Sequence, residues 1–350
     1  MRRSLIAGLA SLSIVVALVV GGVGEVLRHP ALRSVGAPPS DLPAKSIVLR
    51  TARNQPVAGW MVGGKPGGGV VVLLHGVRGD RREMIGRAKF LNRLGYSVLL
   101  IDLPAHGESA AEHITYGWNE SEGVKTALAY LSHEFPDEKV GVIGVSLGAA
   151  SLVLSDPSPA PSAVVLESMF PTITEAVSDR VRLYLGPLAI PLAPLLLWQL
   201  PLRLGVSPEQ LRPIARLSSL HSPVLIASGS IDQHTTLSET KQLYDAAVRP
   251  KELWIVEGAA HVDLHAFDPA TYESIISAFL AKYLRSPGLA CPLSGPPPAS
   301  FACLRRPLLS NVRRSATRQS ESVHGQGDRP VDPSIGRDSD VSHLGLENFA

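Results

Sequence analysis

The sequence predicts an α/β fold: a doubly wound, mostly parallel sheet of eight strands. Three observations predict it. Short apolar runs alternate with longer segments of helical period, the signature of βαβ units. The later runs are near-continuous in Val, Ile and Leu, so helices must cover both faces of the sheet. A Gly-Val-Ser-Leu-Gly pentapeptide at 144–148 falls where one run gives way to a helical segment, the place for a tight strand-to-helix turn.

The eight runs are Ile47 to Leu49, Val57 to Val62, Val70 to Leu74, Ser97 to Ile101, Val140 to Val145, Ala163 to Leu166, Val224 to Ala227 and Leu253 to Val256. Helical segments fall between and after them, at Arg81 to Leu94, Glu120 to Phe135, Leu147 to Ser155, Ser238 to Ala247 and Pro269 to Leu284. The glycine-rich stretch Gly63 to Gly69 has Pro66 after Lys65, where a phosphate loop requires Ser or Thr, and reads as a hairpin turn. No internal repeat breaks the order.

The chain has 350 residues with 33 basic and 31 acidic side chains, a net charge of +2, which leaves no electrostatic footprint for nucleic acid. Its 45% hydrophobic content is that of a folded protein. Leu5 to Gly24 is uncharged and follows Arg2 and Arg3; as a helix it would span about 30 Å, enough for a bilayer. Residues 1–24 are therefore expected to anchor the chain in a membrane. A cleaved secretory signal is the alternative, because Gly22-Val23-Gly24 supplies small residues at a cleavage point. Positive residues ahead of the run orient the body away from the cytoplasm, membrane-anchored if the segment stays, secreted or periplasmic if it is cleaved. Residues 25–44, with Pro-Pro-Ser-Asp-Leu-Pro, read as a linker to a domain over 45–285. Ser286 to Ala350, rich in Pro, Arg and Ser without any period, reads as a disordered tail. Both cysteines, Cys291 and Cys303, lie in it and form no disulfide framework.

The pentapeptide centres the chemistry on Ser146. Glycines flank the serine because side chains there would clash in a strained turn, and the turn leaves the hydroxyl exposed at a helix N-terminus. A serine hydroxyl is a weak nucleophile, so it needs an imidazole to take its proton and a carboxylate to fix that imidazole's tautomer. Asp232 follows the Val224 run and His261 follows the Leu253 run, at strand ends where ligands of open parallel sheets bind. Three other carboxylates compete with Asp232 to orient His261: Glu167 after the Ala163 run, and Glu257 and Asp263 beside the histidine. Asp232 is preferred, since Asp263 is too near His261 in sequence to reach the ring nitrogen facing away from the serine.

With its order Ser146, Asp232, His261, the chain resembles the α/β-hydrolase superfamily, and within it the membrane-anchored serine-aminopeptidase-like hydrolases, from about Lys45 to Arg285. His75-Gly76-Val77 after the third strand resembles the family's oxyanion loop. By that resemblance the backbone N–H groups of Val77 and Leu147 are the candidate oxyanion donors, Gly76 lets the backbone approach, and His75 supports the loop rather than acting as base. The segment Asp102-Leu103-Pro104-Ala105-His106-Gly107-Glu108-Ser109 is similar to the family's loop after its fourth strand, with Pro104-Ala105 where arginine-glycine is common. The resemblance implies hydrolysis of esters or amides through an acyl-serine, with neither metal nor organic cofactor. Acyl transfer on the same scaffold, or a binding protein without catalysis, are the alternatives.

Between about 168 and 220 the alternation stops, where such hydrolases insert a cap. Leu183 to Leu204 carries Arg203 as its only charge and four prolines, which speak against an unbroken spanning helix. Three readings of this apolar cap stay open: packing on the body, a wall for an acyl chain of an ester or lipid-like substrate, and contact with a membrane surface.

Overall fold

The computed structural model describes residues 2–285, so the cysteines and the tail expected to be disordered lie outside the described residues. Eight strands form one sheet: β1 (Ala44–Arg50), β2 (Pro56–Val62), β3 (Val70–Leu74), β4 (Ser97–Ile101), β5 (Val140–Val145), β6 (Ala163–Glu167), β7 (Val224–Gly229) and β8 (Lys251–Val256). Their spatial order is β1-β2-β4-β3-β5-β6-β7-β8. β2 runs antiparallel to both β1 and β4, and every other neighbouring pair is parallel.

All eight apolar runs became strands because successive residues feed two different cores. Val72, Leu74, Val142 and Val164 point to one face, while Val71, Leu73, Ile143 and Val165 point to the other. With both faces buried the period-2 alternation disappears from the hydropathy. On the first face pack α3 (Trp118–Glu134), α4 (Leu147–Leu154) and α7 (Leu237–Ala246), through Ala127, Leu131, Leu152 and Leu243. On the second pack α2 (Ile85–Arg93) and α9 (Pro269–Leu284), through Phe90, Leu91, Ile276 and Phe279. A one-turn helix, α8 (Leu264–Phe267), precedes α9. The Gly63 to Gly69 stretch is not a hairpin turn, because the strands it joins, β2 and β3, are not neighbours. It lies against the turn before β4, with the Lys65 N–H donating to Gly95 O at 2.8 Å.

The insertion holds α5 (Ile173–Leu185) and α6 (Ala189–Leu204) with short 3₁₀ turns after them. α6 contains Pro194 and Pro201 and begins with Pro191 in its first turn, where the missing N–H would have had no partner. Among the described residues no single helix is long and apolar enough to cross a membrane; Ala189–Leu204 and Pro208–Ser219 reach that composition only together, bent by 88°.

The apolar N-terminal run is helical, within α1 (Arg2–Arg28), and residues 25–44 are not a bare linker. Ala31–Leu32 pair in parallel with His106–Gly107, the Ile114 N–H donates to Arg28 O at 3.0 Å, and Leu42 is buried in the second core. α1 also docks on the insertion: the Gln199 amide donates to Val20 O at 3.2 Å and Arg203 to Gly21 O at 3.0 Å, with Arg203 paired to Glu25 at 2.7 Å. Composition signalled a flexible segment; the prolines and glycines instead shape a path along the body.

At the other end Arg285 closes the domain, donating to Leu94 O at 2.6 Å and lying over the Tyr96 ring. A chain ending at Ser286 is expected to keep its melting temperature and its secondary structure by circular dichroism, since exposed termini add little stability. A fall of more than a few degrees would show that the tail stabilises the domain.

Candidate active site

The strand-to-helix turn is built by close backbone packing. A Cβ on Gly144 would lie 2.6 Å from the Ala149 nitrogen, and one on Gly148 would lie 2.6 Å from Leu74 O and 2.7 Å from His75 O. Only glycine permits α4 to sit this close to β3 and β5, as the pentapeptide predicted. Between them Ser146 takes φ +48° and ψ −107°, a left-handed conformation costly for any side-chain-bearing residue. The turn is held by the Ser146 N–H donating to Glu167 O at 2.8 Å and by the Ala150 N–H donating to Ser146 O at 3.0 Å. Leu147 opens α4, so its N–H has no intrahelical acceptor.

The loop after β3 passes beside the serine: a Cβ on Gly76 would meet the Ser146 Cβ at 4.0 Å. His75 braces this loop. Its Nε2 accepts the Leu103 N–H at 3.0 Å while its Nδ1 lies 2.7 Å from Gly76 O, which requires the neutral tautomer protonated at Nδ1. Burial drives its pKa down to about 3, with His106 adding to the effect, so His75 is unsuited to be the base. The Asp102 to Ser109 segment braces the same region. Asp102 accepts the backbone N–H groups of Arg81 and Glu108 at 2.8 Å each and pairs with the Arg81 guanidinium.

His261 and Asp232, each in the loop after its strand, meet with Nδ1 2.8 Å from Oδ2. Asp232 is fully engaged. Its Oδ1 accepts the N–H groups of His234 at 2.8 Å and Thr235 at 2.9 Å, and its Oδ2 also accepts the Thr235 hydroxyl at 2.8 Å. Burial alone would raise this carboxyl, but the His261 and Thr235 donors outweigh it and hold Asp232 below the usual carboxylate range. The two loops are joined through Gly229, where a Cβ would lie 2.1 Å from Ala259 O, and by the Ile231 N–H donating to Ala259 O at 3.0 Å.

The rival carboxylates are occupied elsewhere. Arg87 Nη2 lies 2.6 Å from Glu167 and 2.8 Å from Asp263, and its Nε donates to Tyr272 Oη at 3.0 Å. Tyr272 in turn donates to Glu167. Asp263 also caps α8, accepting from the His265 N–H at 2.9 Å and the Ala266 N–H at 3.2 Å. Glu257 is exposed.

Ser146 opens on a cavity lined by Val77, Leu147, Phe170, Ile173 and Leu196, with Leu27, Tyr116 and Arg180 in the same wall. A second cavity shares Leu27, Tyr116, Ile173, Val177 and Leu196 and continues between α1 and α6 to Gln199 and Arg203. The apolar cap therefore walls the space in front of the serine as well as packing on the body. Sequence reading missed Leu27, Tyr116, Arg180 and His234, whose ring lies 5.1 Å from that of His261. Leu27 was obscured by its place in an assumed linker and Arg180 by the apolar run that follows it. Among the described residues no group of His, Cys, Asp and Glu could hold a metal ion.

Removing Arg87 leaves Glu167 buried without its cation. Arg87→Leu is expected to lower stability by about 3–5 kcal/mol, as breaking a buried pair does, measured by urea denaturation at pH 7. Asp263→Asn should be milder, because its side chain is 41% exposed. Asp232 and Asp263 both have depressed folded-state pKa values, so the stability they add is present above the unfolded value near 3.9 and lost as pH falls through the folded ones. A denaturation midpoint flat from pH 6 to pH 3 would contradict this.

Comparison with known proteins bears on the family and the fold. Residues 71–275, more than half of the chain, match the profile described as the alpha/beta hydrolase family. The uncharacterized protein YqkD of Bacillus subtilis is 24% identical over 239 residues, 67% of this chain and 78% of that protein. An uncharacterized protein of Mycobacterium tuberculosis is 28% identical over 281 residues, 77% of this chain and 93% of that one. Among solved structures, an esterase of Pyrococcus furiosus superposes with a TM-score of 0.61 at 24% identity, covering 74% of this chain and 98% of its own. A membrane phospholipase A described as a bacterial virulence factor superposes at 0.51 and 17% identity, covering 81% and 99%. On the matched profile and the shared fold, the chain belongs to the alpha/beta hydrolase family.

Proposed function

We propose that the protein is a serine hydrolase that cleaves esters or amides of apolar acyl groups through an acyl-serine, with Ser146, His261 and Asp232 as its triad. The observation that carries this reading is a strained Ser146 turn opening on an apolar cavity, together with a buried, fully hydrogen-bonded Asp232 held against the Nδ1 of His261. Asp232 keeps the proton on Nδ1 and leaves Nε2 as the base. Nε2 takes the Ser146 proton as Oγ attacks the carbonyl carbon, and the N–H groups of Val77 and Leu147 receive the oxyanion. Collapse of the tetrahedral intermediate breaks the bond to the leaving group, which takes the proton from the imidazolium. Water then repeats the sequence on the acyl-serine, releasing the acid and restoring Ser146. Every step is carried by side chains and backbone N–H groups.

Membrane contact is part of the proposal, in a broader form than a spanning anchor. On α1 the side chains of Ile14, Leu18 and Val19 are exposed, and on its neighbour α6 so are Ile190, Trp198 and Leu202. Exposed apolar residues on two helices that pack together suit an interfacial seat. The solved membrane phospholipase A with the same fold is compatible with a lipid-like substrate.

Ser146→Ala is expected to abolish labelling by a fluorophosphonate probe and lower ester turnover by several orders of magnitude. Asp232→Asn should cost on the order of 10⁴ in turnover, as loss of the tautomer-fixing acid does in a serine protease, while Glu167→Gln leaves labelling in place. Full labelling of the Ser146 variant would exclude it as the nucleophile. Leu196 lines both cavities, so Leu196→Asp should reduce turnover of p-nitrophenyl decanoate far more than that of p-nitrophenyl acetate. Equal losses on the two esters would assign Leu196 to packing alone.

A further inference from the structure

A cation lines the chamber in front of Ser146. Arg180, on α5, lines the cavity together with Ser146, Leu147, Phe170 and Ile173. Among the described residues it forms no ion pair and lies over no aromatic ring, and the hydrogen bond of its guanidinium is a long one, 3.4 Å, to Ala176 O one turn back in its own helix. Of the acids near it, Asp232 is committed to His261 and Thr235, while Asp179 lies 3.7 Å from Arg182 with its Oδ2 unpartnered but, as the preceding residue of the helix, does not share the face of Arg180. Burial lowers the pKa of Arg180, opposed by Tyr116, Asp232, Tyr184 and Asp179, yet a guanidinium stays charged at any working pH. Its positive charge also helps burial to push the neighbouring His234 down to about 4. A half-buried cation that forms no ion pair loses hydration without a close counter-charge, and packing alone would be served better by an apolar side chain. A planar fork in the wall of a mostly apolar cavity is suited to a bidentate oxyanion.

We infer that Arg180 reads an anionic group on the substrate, so that the ester or amide opened at Ser146 carries a carboxylate or phosphate near the scissile carbonyl. This rests on the serine-hydrolase reading and narrows it. The apolar walls take the hydrocarbon part of an amphiphile, and Arg180 takes its charge. A carboxylate would come from the acyl side, as in a half-ester of a diacid; a phosphate would come from the alcohol side, as in an acylated glycerol phosphate. Either would complete the ion pair that the protein lacks.

The full chain is tested on two matched pairs: p-nitrophenyl hemiglutarate against p-nitrophenyl valerate, and 1-decanoylglycerol 3-phosphate against 1-decanoylglycerol. The inference expects kcat/KM to favour the anionic member of at least one pair by about 10- to 100-fold, the size of a charge-assisted hydrogen bond, chiefly through KM. The pair that shows it identifies the side carrying the charge. Arg180→Gln should abolish the preference and Arg180→Lys should restore part of it; the lysine variant alone carries the comparison if the glutamine variant does not fold. Equal kcat/KM within both pairs, or a preference that survives both substitutions, overturns the inference. Intact fluorophosphonate labelling of Ser146 alongside equal kcat/KM would sink the anion alone, whereas absence of labelling and turnover would sink the hydrolase reading and the anion with it.

Discussion

The close crossing of α4 over β3 and β5 is the constraint on which the rest of the site depends. With Gly144 against Ala149 and Gly148 against the carbonyls of Leu74 and His75, the helix starts in close contact with the ends of two central strands. That proximity forces Ser146 to φ +48°, a cost of about 1–3 kcal/mol that only rigid surroundings can hold. The surroundings are rigid because Val72, Leu74, Val142 and Val164 are wholly buried beneath the turn. It also puts the first N–H of α4 and the loop after β3 beside the serine, so one steric condition positions the proposed nucleophile and its proposed oxyanion donors together.

The second constraint is the division of carboxylates. Four acids lie within reach of the histidine in sequence or topology, and any one left unpaired in a buried site would either protonate or repel its neighbours. Arg87 resolves this by holding Glu167 and Asp263 at once, tying the end of β6 to the loop just past His261. The same pairing fixes that loop in space, and Gly229 allows it to rest on the end of β7. Asp232 is then the acid that meets Nδ1, because its own turn supplies the three donors that keep it ionised at a buried position.

Much of this was legible in the sequence because it is local. Each strand is a short apolar run between breakers, and the glycine spacing around Ser146 reports a clash within five residues. The preference for Asp232 over Asp263 also followed from local reach. What escaped is long-range. Nothing near Arg87 in sequence signals Glu167 80 positions on, so the rival acids could be ranked but not disposed of. Residues 25–44 have the composition of a linker, yet their order comes from partners such as His106 and Ile114 that composition cannot name. The run from Leu183 to Leu204 was open to three readings because its helix is amphipathic only with respect to partners supplied by α1 and α5.

The cap shows how an apolar wall and a single charge can coexist. Ile173, Val177 and Leu196 present hydrocarbon to the chamber, while Arg180 on the same helix as Ile173 and Val177 presents a guanidinium. In a helix, residues 173, 176, 177 and 180 share a face at the i, i+3, i+4, i+7 spacing, so Arg180 extends the buried stripe of α5 instead of pointing away from it. A long arginine stem lets such a position be apolar along its length and polar only at its tip. The tip lies where the stripe meets Tyr116 and the serine's chamber, so removing water there strengthens any pairing it makes. Partial burial raises the cost of leaving this cation without an ion pair and strengthens any pair it makes, so a charge in this wall bears on substrate choice more directly than one on the rim would.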